Sequence, residues 1–285
     1  MKILVTGCTG YIGHLLCKYF EKNYEVSGTS SNCQPDNRNY KCDLRYPGDV
    51  RNLAELVRPE LVIHAAGIKD ISFCESHMKE AFEINYLTTA NIVRTFGANS
   101  RIIYISTDYV FDGVRGNYNE EEVPSPGTVY GKSKLAAEKV GLELGEEMFT
   151  VVRTSAIYEN HSKFIRFLSN SLAGGMTVNC YIDVIYSPTF FLDFCNILEK
   201  IINTQCKHGI YHGCGYRVSR YEFALLFASA FGYDISLVKP ALRPSKDSFL
   251  FPDLSLSMEA TQSIIGYYPT AHDLALSWIA RQDAT

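Results

Sequence analysis

The first thirteen residues of the chain constrain its fold more than any other stretch. A short apolar run at residues 3–5 leads directly into residues 6–13, where glycines occupy positions 7, 10 and 13. Apolar residues then recur at helical spacing, so the predicted order is strand, glycine-rich turn, helix. Such glycines let the backbone turn tightly and approach a pyrophosphate at the helix N-terminus. We therefore expect a dinucleotide site that includes Gly7, Gly10, Tyr11, Ile12 and Gly13.

Strands and helices continue to alternate along the first half of the chain. Apolar runs predict strands at 24–28, 41–44, 61–67, 101–105 and 149–154, with helices at 50–57, at 80–96 and from 130 onward. This alternation is typical of a doubly wound parallel sheet, so we predict an α/β, Rossmann-like fold. The predicted dinucleotide-binding domain covers residues 1–155 with a returning segment at about 183–208. A smaller C-terminal substrate-binding lobe would comprise 156–182 and 209–285.

The end of the second predicted strand bears on the choice of cofactor. NAD sites usually place an acidic residue there to bind the ribose 2′-hydroxyl. No acid occurs between Gly28 and Asp36; the small hydroxylated residues Ser30 and Ser31 stand there instead. This favours NADP(H), whose 2′-phosphate needs the room, and leaves NAD(H) as the alternative.

Further cofactor contacts are predicted where the next strands end. Asp43 and Leu44 end the third strand and are expected to face the adenine. Ala65, Ala66 and Gly67 are small residues that allow the cofactor to approach closely. We interpret His64 as a hydrogen-bonded core histidine rather than a catalytic base. Asn85, inside the helix predicted at 80–96, either holds a group near the active site or is a structural amide.

Tyr130 and Lys134 are four residues apart in a segment of strong helix formers, so they share one helix face. An ammonium beside a phenol favours the phenolate and lowers the pKa of the tyrosine. Such a tyrosine can exchange a proton with a substrate oxygen. The alternative is a surface helix that carries this pair by chance.

Composition excludes several classes of protein. The net charge of −4 gives no reason to expect nucleic acid as a partner. The nine cysteines are scattered without a CxxC spacing, so we predict reduced thiols and neither a disulfide framework nor a metal site. We expect no secretory leader and no membrane association, and hence a cytoplasmic protein.

The glycine-rich turn, the Ser106-Thr107 strand end and the Tyr130-x-x-x-Lys134 pair together resemble the extended short-chain dehydrogenase/reductase family. Residues 106–113, which read Ser-Thr-Asp-Tyr-Val-Phe-Asp-Gly, resemble the signature of the dTDP-4-dehydrorhamnose reductase group. The resemblance covers nearly the whole chain. It implies that Thr107 binds the sugar carbonyl, that Tyr130 donates the proton and that Lys134 holds the nicotinamide ribose. It also implies a substrate site that includes Asp108, Tyr109, Ala156 and Arg243.

The chain departs from the group at three places where the sugar would bind. Ala156 stands where the group usually has a tryptophan, and residues 68–72 and 183–184 differ from the usual pattern. These departures leave the exact sugar open. We expect NADP(H)-dependent reduction of a nucleotide-activated 4-keto-6-deoxy sugar. A homodimer is the assembly that we consider for the protein. The alternatives are a sugar-nucleotide epimerase or dehydratase, and a non-catalytic regulatory subunit that keeps the NADP fold, like the partner of methionine adenosyltransferase.

Overall fold

The structure, a computed structural model, describes residues 1–204, 209–244 and 249–283. Contacts divide the chain into two compact units. The first comprises Met1–Val110, Pro124–Arg153 and most of the strand Gly209–His212, and the second comprises Phe111–Val123 and most of the remaining chain. Residues 205–208, 245–248 and 284–285 lie outside the described residues, although the two predicted domains include them.

The first unit alternates strands and helices along the chain. Its elements are β1 (Lys2–Thr6), α1 (Tyr11–Phe20), β2 (Glu25–Ser30), β3 (Asn39–Lys41), α2 (Pro47–Val57), β4 (Leu61–His64), α3 (Ile71–Ser76), α4 (Met78–Phe82), a π-helical segment (Glu83–Leu87), α5 (Thr88–Phe96), β5 (Arg101–Thr107), α6 (Val129–Leu144) and β6 (Phe149–Thr154). Short 3₁₀ turns follow β5 and α6, at Asp108–Val110 and Glu146–Met148.

The rest of the chain forms shorter elements. They are β7 (Ile157–Tyr158), α7 (Lys163–Ala173), β8 (Val178–Tyr181), β9 (Ile185–Tyr186), β10 (Thr189–Phe190), α8 (Phe191–Asn203), β11 (Gly209–His212), β12 (Val218–Ser219), α9 (Arg220–Phe231), a 3₁₀ turn (Ile235–Leu237), β13 (Val238–Ala241), α10 (Glu259–Ile265) and α11 (His272–Asp283). The apolar stretch at 178–186 forms two strands, β8 and β9. They are separated at Asp183, whose carboxylate accepts a hydrogen bond from the Arg243 N–H at 2.8 Å.

The central sheet has seven strands in the order β11-β6-β5-β4-β1-β2-β3. The pairs β1–β2, β1–β4, β2–β3 and β4–β5 are all parallel. Strand β1 lies between β2 and β4, so the order of the strands reverses beside it. In open α/β sheets, ligands bind at the carboxyl ends of the strands at this reversal, and the glycine-rich turn lies there. The predicted Rossmann-like fold is confirmed.

A buried apolar cluster covers this sheet and includes Leu4, Val62, Ile102, Phe149 and Val151. Apolar runs without alternation are expected for parallel strands that are buried on both faces. Ile210 of β11 packs against the same cluster. The strand that returns to the sheet is thus β11, just beyond the return predicted at 183–208, and α8 belongs to the second unit.

The helix predicted over 80–96 is not one regular α-helix. Helices α4 and α5 are joined by the π-helical segment, which contains the buried Asn85. A π turn accommodates one additional residue, and such turns occur frequently at functional sites. Propensity cannot predict this interruption, because it depends on what the Asn85 side chain contacts in the folded chain.

The second unit has its own core of aromatic and aliphatic side chains, among them Tyr158, Leu168, Phe223 and Phe227. Ser219 begins α9 with a capping box, in which its hydroxyl accepts from the Glu222 N–H and the Glu222 carboxylate accepts from the Ser219 N–H. A serine followed three residues later by a glutamate is the sequence spacing of a capping box. Among the described residues, no helix is both long and apolar enough to cross a bilayer.

Candidate active site

Helix α6 carries both Tyr130 and Lys134. The Thr128 hydroxyl caps the helix by accepting a hydrogen bond from the Gly131 N–H at 3.0 Å, and the Glu75 carboxylate accepts from the Val129 N–H at 2.7 Å. The Lys134 side chain is buried and that of Tyr130 is half-buried. The alternative of a surface helix that carries Tyr130 and Lys134 by chance therefore does not fit, because the helix face that bears them is partly buried.

Thr107 ends β5 beside this helix. Its hydroxyl donates a hydrogen bond to the Asp108 carboxylate at 3.0 Å, and Thr107 acts to lower the pKa of the neighbouring Tyr130 hydroxyl. The ring of Tyr109 meets the ring of Tyr130 edge to face, with 5.8 Å between their centroids. The structure thus brings together four residues that the sequence predicted separately: Thr107, Asp108, Tyr109 and Tyr130.

Burial raises the pKa of the Tyr130 hydroxyl above its ordinary value, and the hydrogen bond with Thr107 acts in the opposite direction. The nearby Asp108 charge raises the pKa further. The prediction that Lys134 lowers this pKa is wrong in this structure, because burial has the larger effect. Tyr130 is therefore a protonated phenol at neutral pH, which suits a proton donor.

The Lys134 ammonium lies on the sheet side of α6. Its Nζ donates a hydrogen bond to the Ile105 carbonyl at 2.7 Å and lies 4.0 Å from the centroid of the Tyr104 ring. Burial lowers the pKa of Lys134 to about 7, while the carboxylate of Glu138 raises it. The charge of Lys134 consequently changes near neutral pH.

The glycine-rich turn is built for close backbone approach. Gly7 has a φ of 72°, and a methyl group there would lie 2.9 Å from the Ala66 Cα. A methyl group at Gly13 would lie 2.1 Å from the Gly7 carbonyl oxygen. Helix α1 starts after Gly10, which offers no side-chain cap for the helix N–H groups. Unlike the start of α6, this N-terminus is therefore suited to bind a pyrophosphate.

Two further contacts shape the region around this turn. The Thr9 and Ser30 hydroxyls are 2.7 Å apart, and this hydrogen bond connects the turn to the end of β2. The Thr6 hydroxyl accepts from the Ala66 N–H at 3.1 Å, so the Ala65–Gly67 segment lies against the turn.

The predicted cofactor residue Ser31 is exposed. The Lys69 ammonium lies 5.7 Å from the centroid of the Tyr11 ring, and Ile12 is half-buried.

Asp43 and Leu44 follow β3, but both are engaged within the protein. The Asp43 carboxylate forms a paired contact with the Arg45 guanidinium, with a shortest distance of 2.6 Å, and this holds the pKa of Asp43 below its usual range. Leu44 is buried in the core, and its carbonyl accepts from the Asn91 amide at 2.9 Å. Their contact with an adenine stays a prediction.

His64 and Asn85 complete the surroundings of the site. The two ring nitrogens of His64 contact the hydroxyls of Thr6 and Thr89 at 2.7 and 3.1 Å. Burial and the Lys134 charge lower the pKa of His64 to about 3, so the interpretation as a neutral core histidine is confirmed. The Asn85 amide donates to Ser133 Oγ at 2.9 Å and contacts both the N–H and the carbonyl of Ile68. It therefore fixes the loop after β4 to α6.

Two predicted substrate residues, Ala156 and Arg243, belong to the second unit. Ala156 is exposed, and its carbonyl accepts from the Thr189 N–H at 2.9 Å. The Arg243 guanidinium lies 3.5 Å from the Asp183 carboxylate and donates to the Leu250 carbonyl at 2.7 Å. Part of its charge is thus balanced by Asp183, one of the positions where the chain departs from the group.

Sequence reasoning did not predict the contacts that join Glu138 to Ser106 and Arg153, or Asn85 to Ser133. The only available signals were a glutamate four residues after Lys134 and an arginine within an otherwise apolar strand. Within residues 1–204, 209–244 and 249–283, no cluster of three or more His, Cys, Asp or Glu side chains could hold a metal ion.

Gly131 follows Tyr130, and we expect its replacement by alanine to disturb the site. A methyl group there would lie 2.0 Å from the Tyr109 carbonyl oxygen and 2.9 Å from Pro126 Cβ, so the start of α6 must shift. Overpacking of this kind lowers the free energy of unfolding by about 1–3 kcal/mol. A 1 Å displacement of a reacting group costs about 10²-fold in turnover.

Gly48→Ala is the matched control for Gly131→Ala. Gly48 lies near the start of α2, and nothing stands within 4 Å of a methyl group there. Alanine favours a helix over glycine, so this variant should unfold at the same or higher urea concentration than the unmodified protein. Equal turnover in Gly131→Ala and Gly48→Ala would contradict the packing argument.

A family model described as "RmlD substrate binding domain" matches residues 1–248 of the chain. The chain belongs to the RmlD substrate-binding domain family. The match covers the glycine-rich turn, the Thr107 strand end and the Tyr130–Lys134 helix described above. The family predicted from the short motifs is thereby confirmed.

Several relatives support this membership in the RmlD family. Methionine adenosyltransferase 2 subunit beta of Danio rerio is 30% identical over 84% of this chain and 76% of its own length. The dTDP-4-dehydrorhamnose reductase of Aggregatibacter actinomycetemcomitans is 31% identical over 79% of this chain and 77% of its own length. The structure of dTDP-4-dehydrorhamnose reductase from Bacillus anthracis in complex with NADP shares the fold, with a TM-score of 0.87 at 23% identity over 99% of both chains.

Proposed function

We propose that this protein reduces the 4-keto group of a nucleotide-linked 6-deoxy sugar and uses NADPH as the reductant. The observation that carries the proposal is the position of Thr107 at the end of β5 beside the protonated Tyr130, with Lys134 one helical turn further on. A ketone reductase needs donors at the oxygen where negative charge develops. Thr107 and Tyr130 supply two such donors at one position.

The residues around the glycine-rich turn fit a dinucleotide phosphate. Gly7, Gly10 and Gly13 let the backbone of the turn pack closely, and the start of α1, where a pyrophosphate would bind, has no side-chain cap. Ser30 would contact the 2′-phosphate, and it lies in register with Lys41 on the neighbouring strand. Asp36, the nearest acid that follows, already accepts hydrogen bonds from the N–H groups of Arg38 and Asn39. Ser31, Ala65, Ala66 and Gly67 would complete this site.

When bound, the reduced cofactor supplies hydride to the ketone carbon. Thr107 then donates a hydrogen bond to the substrate oxygen as its negative charge grows. Tyr130 transfers its proton to that oxygen, because an alkoxide is a stronger base than a phenolate even when the phenol is buried. Protonated Lys134 stabilises the resulting phenolate and would hold the ribose. Asp108 and Tyr109 would line the sugar site, and a contact of Ala156 or Arg243 with the substrate stays a prediction.

The substrate class rests on the eight residues from Ser106 to Gly113 and on the kinship with dTDP-4-dehydrorhamnose reductases. The test is a panel of dTDP-, UDP- and GDP-linked 4-keto-6-deoxy sugars, with NADPH oxidation followed by absorbance. The product of each reaction would be identified by NMR. We expect oxidation with at least one ketone and a product that carries a new hydroxyl at carbon 4.

The two alternatives give different results in the same panel. A sugar-nucleotide epimerase or dehydratase would change the sugar without net oxidation of NADPH. A regulatory subunit would bind NADPH tightly and leave every ketone unchanged. The similarity to a methionine adenosyltransferase subunit makes this second result worth measuring.

The cofactor preference gives a separate prediction. NADPH should bind at least as tightly as NADH, and Ser30→Asp should reverse the order because a carboxylate repels the 2′-phosphate. Ser30→Asn is the matched control, since it has similar size without the charge. Calorimetric titration of each variant with both cofactors makes the comparison. A clear preference of the unmodified protein for NADH would reject the role of Ser30.

The remaining expectations concern the protein as a whole. The division into a dinucleotide domain at 1–155 and a substrate-binding lobe stays a prediction. A homodimer and a cytoplasmic location also stay predictions; light scattering would test the first and fractionation of the producing cells the second.

A further inference from the structure

A buried ion pair lies one helical turn beyond Lys134. The Glu138 carboxylate accepts hydrogen bonds from Arg153, at 3.0 Å from Nε and 2.7 Å from Nη2, and also from the Ser106 hydroxyl. The side chains of Glu138 and Arg153 are each only 1% exposed. Desolvation offsets most of the attraction within such a pair, so its net contribution to stability does not account for its position.

The carboxylate of Glu138 connects the elements that carry the catalytic residues. Ser106 directly precedes Thr107 on β5, and Glu138 follows Lys134 by four residues on α6. Arg153 belongs to β6, which neighbours β5 in the sheet. One side chain therefore joins the strand end bearing Thr107 to the helix bearing Tyr130 and Lys134.

The charge of Glu138 also acts on Lys134. The groups that act on the ammonium are the Tyr104 ring and the Ile105 carbonyl from β5, His64 from β4, and Glu138 from its own helix. His64 is neutral because its pKa is lowered to about 3. Glu138 raises the pKa of Lys134 against the larger effect of burial, which lowers it to about 7.

We propose that Glu138 is a positioning residue, which holds α6 against the end of β5 through Ser106 and Arg153 and places its carboxylate one helical turn from Lys134. The proposal rests on the proposed function, in which protonated Lys134 stabilises the Tyr130 phenolate. Glu138 itself contacts neither the substrate nor the cofactor in this scheme.

The sign of the pH dependence follows from the active form of Lys134. Activity that needs the ammonium is present below the pKa of Lys134 and falls about tenfold for each pH unit above it. Neutralising Glu138 removes an effect that raises this pKa. The alkaline limb of the kcat profile should therefore move to lower pH in Glu138→Gln, whereas a loosened fold alone would lower kcat without moving the limb.

The decisive measurement is the titration of Lys134 itself, followed by NMR in lysine-labelled protein and assigned by comparison with Lys134→Arg. Three variants are compared with the unmodified protein: Glu138→Gln, Arg153→Met and the double variant with both substitutions. The double variant removes both charges and leaves none unpaired, so it should fold even if a single variant does not. Arg153→Met breaks the same pair and keeps the carboxylate.

We expect the Lys134 titration to move to lower pH in Glu138→Gln and in the double variant, but not in Arg153→Met. An unchanged Lys134 titration in the double variant would overturn the proposal, as would an equal downward shift in Arg153→Met. The NMR titration requires no substrate. If every ketone in the panel is left unchanged, the proposed function fails while this test of Glu138 still gives an answer.

Discussion

Replacing Tyr130 by phenylalanine should lower turnover of the nucleotide-linked ketone by about 10²–10⁴-fold, the range for loss of a general acid. The substitution keeps the ring and its edge-to-face contact with Tyr109, and removes only the hydroxyl assigned to proton transfer. Binding of NADPH should change little, because the hydroxyl acts on the substrate oxygen. Initial rates of NADPH oxidation and a calorimetric titration separate the two effects.

Tyr233→Phe is the control for the loss of a phenol. The Tyr233 hydroxyl contacts Ser169 at 3.3 Å within the second unit, and neither residue is assigned to proton transfer. Its removal should leave turnover within about twofold, because loss of a neutral hydrogen bond costs only about 1 kcal/mol of stability. Near-full turnover in Tyr130→Phe would remove Tyr130 from the reaction.

The largest loss of stability is expected for Arg153→Met. This substitution leaves the Glu138 carboxylate buried without its cation, and breaking a buried pair in this way costs about 3–5 kcal/mol. Glu138 is 1% exposed, so water cannot replace the guanidinium. Urea unfolding followed by circular dichroism would measure the loss. Substituting both partners should restore much of the stability, because no charge then remains unpaired.

Lys79→Met is the matched control for Arg153→Met. Lys79 lies 3.8 Å from Glu83, but its side chain is 91% exposed. Exposed pairs of this kind contribute about 0.3–0.5 kcal/mol. An equally small effect of Arg153→Met would mean that solvent reaches Glu138 once the arginine is removed.

The elements with strong periodicity were predictable from the sequence. Strand β1, the glycine-rich turn and α1 follow from residues 3–20, because the change from a strand period to a helical period is abrupt there. The start of α9 was also predictable, since a capping box involves only neighbouring residues. The shared helix face of Tyr130 and Lys134 was likewise predictable, because it depends only on their spacing within one helix.

Contacts between distant segments were not predictable in the same way. The pairing of Glu138 with Arg153 requires α6 and β6 to meet, and the position of each is set by the sheet. The direction of the Tyr130 pKa shift depends on burial, which a local pattern does not contain. The ion pair between Arg45 and Asp43 and the ion pair between Arg243 and Asp183 also depend on the path of the folded backbone. Neither pair follows from the spacing of residues in the sequence.

The π-helical segment Glu83–Leu87 affects which side chains of the joined helices α4 and α5 lie on the same face. An α-helix turns by about 100° per residue, and the wider π turn takes up one additional residue without passing that rotation on to α5. Deleting a single residue here would let α4 and α5 continue as one regular helix and would change the positions of the side chains within the segment. Asn85 could then no longer contact Ser133 and Ile68 at once, although every amino acid on either side would be unchanged. The contacts of Asn85 beside the active site therefore depend on the number of residues in this segment as well as on their identity.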